Sequence, residues 1–283
     1  MSSVAPVTIV KVSGEVVTEQ PDLLAVEEPL EIRLGYGPKA DRRQRSIAVT
    51  MRTPGHDPEL ALGFLYTENI IQRAGDVVSV RHCVSDADKT GNVIRVELQP
   101  ELAVDWQALE RNSYTASSCG ICGKTSIEAV QATCSAKLTD KFTIDAGIIN
   151  NLPDTLRQLQ RTFAYTGGLH AAALFDATGK IHLVREDIGR HNALDKLIGA
   201  SFWQDWLPLQ QYGVLVSGRI GFELVQKAWR VGIPLLAAVG APSSLAVELA
   251  SEAGMTLLGF VREGRFNIYT VPERVMYPVA FSG

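Results

Sequence analysis

The chain has 283 residues, of which 46% are hydrophobic and 20% are charged, a composition typical of a globular protein with a large core and about two domains. Its 27 Lys and Arg residues and 31 Asp and Glu residues give a formal net charge of -4, which argues against a general binder of nucleic acid or anionic membranes. No basic leader precedes an apolar stretch, and no apolar run approaches the roughly 18 residues that span a bilayer, so we expect a cytoplasmic protein.

The first part of the chain is predicted to be mostly β-structure. Gly, Pro and Asp separate short runs with strand character: VTIVKV, LEIRLGY, RSIAVT, VVSVRHCV and NVIRVELQ. One helix is predicted among them at HDPELALGFLYTENII, where Asp57 is suited to cap the free N–H groups and Pro58 to occupy the first turn. We therefore expect a smaller, mostly β N-terminal subdomain over residues 1–112.

Two of the four cysteines, Cys119 and Cys122, lie in the stretch SSCGICGKTS. A zinc site is not expected, because a tetrahedral site needs four ligands and the chain has neither a second such pair nor the signature of a zinc deaminase. A redox pair remains an alternative, since a CxxC at the start of a helix favours a thiolate. A sulfur carrier is the second alternative, because small residues, two glycines and Lys124 suit an exposed and readily ionised thiol. Composition alone leaves both interpretations open.

From residue 168 onward, predicted strands alternate with predicted helices. The strand-like runs are HAAALFD, KIHLVRE, GVLVSG, IPLLAAVG and MTLLGFV, and the helical ones are DIGRHNALDKLIGA, IGFELVQKAWRVG and PSSLAVELASEAG. Several of these strands are almost continuously apolar, which is typical of strands that are covered on both faces. We expect residues 113–283 to form a layered α/β domain with a largely parallel sheet.

The segment REDIGRHNALDK is unusually rich in charge. Such a run usually forms a solvated helix face with pairs four residues apart, here Asp187 with His191, and we favour that interpretation. His170 and His191 are alternatively candidates for acid–base chemistry or for holding a ligand.

Two predicted strands end in loops of the kind that bind anions. Ligands gather at the carboxyl ends of parallel strands, where helices begin. LVSGRIG places Ser217 and Arg219 at such a helix start, and VGAPSS offers Ser243 and Ser244 at the next. From spacing alone, ordinary turn and cap residues are the simpler interpretation. The chain has neither GxxxxGK[ST] nor GxGxxG, which disfavours a Walker or Rossmann site.

Seven stretches, in order from about residue 59 to 270, resemble the formate dehydrogenase accessory sulfurtransferase family, FdhD. They are ELALGFLYTENII, SSCGICG, TGGLHAAALF, REDIGRHNALDKLIG, VLVSGRIGFELVQKA, GIPLLAAVGAPSSLAVELA and TLLGFVREGRFNIYT. The resemblance implies a homodimer with a fold of cytidine-deaminase-like type. It also implies a sulfurtransferase that accepts sulfur from a cysteine desulfurase as a persulfide. The sulfur then passes to the molybdenum cofactor, in its bis(molybdopterin guanine dinucleotide) form, for the catalytic subunit of formate dehydrogenase.

The same resemblance assigns roles to particular residues. Cys119 matches the persulfide carrier and Cys122 the second cysteine of the pair. The family's cofactor-binding stretch falls on Phe260, Val261, Arg262, Glu263, Gly264 and Arg265, to which we add Ser217 and Arg219 from the neighbouring loop. No structural metal is expected. The alternative function is a cofactor-binding chaperone for formate dehydrogenase, whose CxxC is a redox latch and transfers no sulfur.

Overall fold

A computed structural model describes residues 2–83, 91–106, 138 and 141–277 of the chain. Cys119, Cys122 and the predicted boundary between residues 112 and 113 lie outside these ranges. Among the described residues, no helix combines the length and the apolar character needed to span a bilayer.

The N-terminal part contains a hairpin and a four-stranded sheet. The hairpin pairs β1 (Val4–Ser13) with β2 (Val16–Ala25). The sheet has the order β4-β3-β6-β5, with β3 (Glu28–Tyr36), β4 (Arg43–Arg52), β5 (Val77–His82) and β6 (Val93–Leu98). Helix α1 (Asp57–Thr67) and a 3-10 helix (Ala74–Asp76) connect β4 to β5. The five predicted strands and the predicted helix are confirmed, whereas β2 was not predicted.

The second part is built on a six-stranded sheet of the order β13-β12-β11-β10-β8-β9. Its strands are β8 (His170–Phe175), β9 (Ile181–Asp187), β10 (Gly213–Val216), β11 (Leu235–Ala238), β12 (Thr256–Arg262) and β13 (Arg265–Thr270). Two short strands, β7 (Ile144–Asp145) and β14 (Val275–Met276), pair beside it.

The expected largely parallel sheet is wrong, because the sheet is mixed. Only β10, β11 and β12 run parallel to one another, whereas β8 is antiparallel to β10 and β9, and β13 is antiparallel to β12. Short turns join β8 to β9 and β12 to β13, and a short turn connects only antiparallel strands. In the first of these turns Asp176 Oδ1 accepts a hydrogen bond from Thr178 N at 2.8 Å.

Helices cover both faces of this sheet, so the central strands β8, β10 and β11 are buried on both sides. The helices are α2 (Ala146–Leu159), α3 (Arg161–Thr166), α4 (Arg190–Trp203), α5 (Phe222–Arg230) and α6 (Ser244–Glu252). Helices α4, α5 and α6 share one apolar cluster with one face, and α2 packs on the other. Neighbouring strand residues therefore alternate between clusters, as Val214 and Leu215 do. The predicted layered α/β arrangement is confirmed in this respect, while the likeness to cytidine deaminases stays a prediction.

The two parts meet where α1 crosses α4. Gly63 on α1 and Gly199 on α4 lie directly against the backbone of the opposite helix, so neither position has room for a side chain. The expected cap by Asp57 is wrong, because His56 is the N-cap residue and its side chain makes no capping hydrogen bond. Asp57 instead binds the fully buried Arg52, with Nη2 at 3.0 Å from Oδ2. A buried guanidinium needs a carboxylate partner, and this need outweighs the benefit of a cap.

Candidate functional site at the carboxyl edge of the sheet

The parallel strands β10, β11 and β12 end at one edge of the six-stranded sheet, which we call the carboxyl edge. Residues 217–221 follow β10, residues 239–243 follow β11, and residues 260–264 form the end of β12 and its turn. The structure therefore brings Ser217, Arg219 and the stretch 260–265 to the same edge. Their role in binding stays a prediction.

Backbone contacts join the three segments of the carboxyl edge side by side. Phe260 N donates to Gly240 O at 3.0 Å, and Gly240 N donates to Gly218 O at 3.3 Å. A Cβ atom on Gly240 would lie 2.8 Å from Gly218 O and 2.9 Å from Arg219 N, so glycine is required for this close approach. The backbone of the three segments therefore forms a continuous surface at the carboxyl edge.

The predicted residues differ in how their side chains are placed. Ser217 Oγ accepts the backbone N–H of Ala171 at 2.9 Å, which ties this loop to β8. Val261 is fully buried in the apolar cluster beneath the sheet, so its side chain cannot face a ligand. Phe260 has a left-handed backbone, with φ of 53°, and a partly exposed ring. The four residues after Val261, Arg262 to Arg265, form an exposed turn.

Three arginines give the carboxyl edge its positive charge. Arg219, Arg262 and Arg265 are exposed, and within the described part of the chain none of them takes part in an ion pair or a side-chain hydrogen bond. A guanidinium that no carboxylate neutralises remains available for bidentate binding of a phosphate or carboxylate. The edge is therefore a local cationic site on a chain whose net charge is -4.

Further ionisable groups reach the same edge from the other side of β10. Because β8 is antiparallel to β10, its first residue, His170, lies beside the end of β10, and α4 begins nearby with Arg190. Burial, together with the charge of Arg190, lowers the pKa of His170, although Asp187 opposes the change. The sequence left the role of His170 open, because only the antiparallel direction of β8 brings its first residue here. Arg190 was expected only as part of a solvated helix face.

His191 is the second histidine at this edge, and it lies beside Glu223 of α5. Its Nε2 is 3.2 Å from Glu223 Oε2. Burial, followed by the charges of Arg190 and Lys227, lowers the pKa of His191 to about 4. The ring is therefore neutral at pH 7, so its contact with Glu223 is not a salt bridge at that pH.

The expectation that REDIGRHNALDK forms a solvated helix face is wrong. Asp187 and Lys196 are both buried, and they form an ion pair with Lys196 Nζ at 2.7 Å from Asp187 Oδ2. Lys196 also donates to Thr53 O at 2.9 Å, which fastens α4 to the segment after β4. Asp187 therefore pairs with Lys196 rather than with His191. Two opposite charges that are buried together need such pairing and backbone hydrogen bonds to offset the loss of hydration.

The sulfur chemistry and the metal question concern different parts of the chain. Cys119 and Cys122 lie outside the described residues, so their distance from the carboxyl edge is not given by the structure. Within residues 2–83, 91–106, 138 and 141–277, no group of three or more His, Cys, Asp or Glu side chains is arranged to hold a metal ion.

Comparison with known proteins gives consistent matches over most of the chain. The model of the FdhD/NarQ family matches residues 25–276. The chain is 46% identical over 272 residues to "Sulfur carrier protein FdhD" of Streptomyces avermitilis, covering 94% of each chain. It is 50% identical over 260 residues to the protein of that name from Mycolicibacterium paratuberculosis, covering 90% of this chain and 93% of that one. It is 42% identical over 270 residues to the protein of that name from Sulfurisphaera tokodaii, covering 95% of this chain and 98% of that one.

A solved structure shares the fold. It is the crystal structure of a protein assigned as a formate dehydrogenase accessory protein from Desulfotalea psychrophila, with a TM-score of 0.71 and 23% identity. The match covers 97% of this chain and 100% of that one. The mixed sheet and its helices are therefore an arrangement that has been observed experimentally in another chain.

Proposed function

Because the chain belongs to the FdhD/NarQ family, we propose that it is a sulfur carrier that serves formate dehydrogenase. On this proposal a cysteine desulfurase loads sulfur onto Cys119 as a persulfide. The protein then passes the sulfur to the molybdenum cofactor in its bis(molybdopterin guanine dinucleotide) form. It works in the cytoplasm as a homodimer. The names of the curated relatives and the CxxC pair support the transfer of sulfur.

The observation that supports binding of the cofactor is the set of unpaired arginines at the carboxyl edge. The guanine dinucleotide ends of this substrate carry phosphates, which need cationic partners and backbone N–H donors. Arg219, Arg262 and Arg265 supply the cations, and the start of α5, which has no side-chain cap, supplies free N–H groups beside them. A chain of net charge -4 is thereby suited to an anionic substrate.

Release of the sulfur requires two electrons, which Cys122 is placed in the sequence to supply. The Cys122 thiolate attacks Sγ of the Cys119 persulfide, so that the bond between this Sγ and the outer sulfur breaks. A Cys119–Cys122 disulfide forms, and the outer sulfur leaves as sulfide toward the molybdenum of the substrate. The sulfur is reduced and the two cysteines are oxidised, so a cellular thiol must reduce the disulfide before the next cycle.

The test is to detect the persulfide directly. The protein is incubated with a cysteine desulfurase and cysteine, and the mass of the peptide that contains the CxxC is measured. The wild type and Cys122→Ala are expected to gain the mass of one sulfur atom, whereas Cys119→Ala gains none. Cys122→Ala is expected to support formate dehydrogenase activity only when an external thiol is added.

Two results would contradict this assignment. Sulfur on Cys122 in the Cys119→Ala protein, with activity retained, would reverse the roles of the two cysteines. An unloaded CxxC in a protein that still binds the cofactor and supports formate dehydrogenase would favour the chaperone function over sulfur transfer.

A further inference from the structure

Arg190 is the one charged residue near the start of α4 that is left without a structural partner among the described residues. Arg185 Nη2 lies 2.7 Å from Glu59 Oε1, and Glu186 accepts two backbone N–H groups at the start of α3. Asp187 belongs to the buried ion pair described above. Within the described part of the chain no such contact involves Arg190, so its guanidinium is not used there to hold the fold together.

Arg190 is half-buried, and its position is at the carboxyl edge. A Cβ atom on Gly218 would lie 3.8 Å from Arg190 Cβ and 3.1 Å from His170 Nδ1, so these two residues flank the backbone of the loop after β10. Nε of Arg190 is enclosed and has no hydrogen-bond acceptor among the described protein atoms. An enclosed donor on a cation is costly unless an acceptor binds it. Its two terminal nitrogens are not enclosed in this way, so they are the atoms of Arg190 that an anion can reach.

The two helices that flank this position also begin without side-chain caps. The N-cap residue of α4 is Gly189 and that of α5 is Gly221, and neither gives a side-chain hydrogen bond to the first turn. Helix α6 differs, because Ser243 caps it by accepting the N–H of Ala246 at 3.2 Å. Uncapped first turns add N–H donors and the positive ends of helix dipoles. They reinforce the charge of Arg190.

The edge from the 260–265 stretch to Arg190 is continuous and long. Phe260 contacts Gly240, Gly240 contacts Gly218, and Gly218 contacts the His170 ring. In strand order this line runs from β12 through β11 and β10 to β8, and three spacings of about 4.8 Å make it about 14 Å long. Arg262 and Arg265 lie at one end of this line, and His170 and Arg190 lie at the other.

We propose that Arg190, with the His170 ring beside it, forms a phosphate subsite at the end of the carboxyl edge opposite the 260–265 stretch. The carboxyl edge then binds an elongated ligand with two or more phosphates, such as a nucleoside diphosphate or a dinucleotide, which lies across the backbone of Gly240 and Gly218. This inference rests on the proposed binding of a guanine dinucleotide. It adds that phosphates are read by Arg190, which the sequence did not indicate.

The test compares ligands that differ only in phosphate. Affinities for guanosine, GMP, GDP and inorganic pyrophosphate are measured by calorimetry or by displacement of a fluorescent GDP analogue. Arg190→Ala is expected to weaken GDP and pyrophosphate by about 10- to 100-fold, as for loss of a charged hydrogen-bond donor, and to leave guanosine unchanged. Arg190→Lys, which keeps the charge, should lose less. Lys39→Ala removes one exposed charge from the β3–β4 turn as a matched control.

Each outcome separates the subsite from the proposed function. An unchanged ratio of GDP to guanosine affinity in both Arg190 variants, with a wild type that binds GDP, would overturn the subsite alone. Equal weakening of guanosine and GDP would also overturn it, because a structural role would act on both. A wild type that binds none of these ligands would overturn the nucleotide part of the proposed function together with the subsite.

Discussion

Two regions of this protein are rich in charge, and they use it in opposite ways. At the junction of α1, α4 and the end of β4, charges are buried and paired, as in Arg52 with Asp57 and Lys196 with Asp187. At the carboxyl edge, Arg219 and its neighbours are exposed and unpaired among the described residues. Burial forces charges to pair, whereas exposed cations keep their capacity to bind. Pairing therefore separates charges that hold the fold from charges that are available to a ligand.

The largest effect is expected from breaking a pair at the junction. Lys196→Met leaves the Asp187 carboxylate buried without its cation, and we expect the free energy of unfolding to fall by about 3–5 kcal/mol. Urea denaturation measures this value. The double variant Asp187→Asn/Lys196→Met should recover part of the loss, because it removes the unpaired charge. A loss below about 1 kcal/mol in Lys196→Met would show that the pair is not needed for stability.

A somewhat smaller effect, which depends on pH, is expected at the contact between α1 and β9. Burial raises the pKa of Glu59, but hydrogen bonds from Arg185 and His56 outweigh burial and lower that pKa from 4.5 to about 2. Each pKa unit corresponds to 1.36 kcal/mol, and because solvent screens this partly exposed carboxylate, its contribution is about 1–2 kcal/mol rather than the full value of about 3 kcal/mol. Because the folded pKa lies below the unfolded one, this contribution is present above pH 4.5 and is lost as pH falls toward 2.

The measurement is the stability of the wild type relative to Glu59→Gln across pH. The wild type should be more stable by about 1–2 kcal/mol at pH 7, and the difference should shrink below pH 4.5. Arg43→Ala, which breaks a fully exposed pair with Asp41, serves as the control and should show no measurable change at any pH. A difference between wild type and Glu59→Gln that stays constant from pH 7 to pH 3 would contradict the assigned pKa.

The local patterns of the sequence predicted the elements well, but not how they pair. Alternating and continuous apolar runs predicted β3, β6, β10 and β11, because side-chain burial follows the period of the strand. The direction of β8 was not predicted, since it depends on which strand pairs with it. Ser217, Arg219 and the 260–265 stretch lie at the ends of parallel strands and were therefore expected at one edge, whereas His170 reaches that edge only because β8 is antiparallel to β10.

The segment REDIGRHNALDK shows more clearly that local patterns do not predict contacts between distant elements. Lys196 donates to the carbonyl of Thr53, which is 143 residues earlier in the chain. Spacing along a helix predicts contacts three or four residues apart, such as Asp187 with His191, and contains no information about a partner on another element. The buried network was therefore not predictable from local charge alone.

The most direct test of the comparison is to measure GDP binding by two double variants. Arg219→Ala/Arg265→Ala removes two positive charges from the carboxyl edge. The control, Lys39→Ala/Arg81→Ala, removes two positive charges from exposed positions in the β3–β4 turn and on β5. Neither double variant should change the free energy of unfolding by more than about 0.5 kcal/mol, because none of the four side chains is paired in the described structure. The edge variant should lose about 10- to 100-fold in GDP affinity, and its binding should depend less on salt, while the control binds as the wild type does. Equal GDP affinity in the two variants would contradict the claim that the unpaired arginines of the carboxyl edge form the nucleotide site.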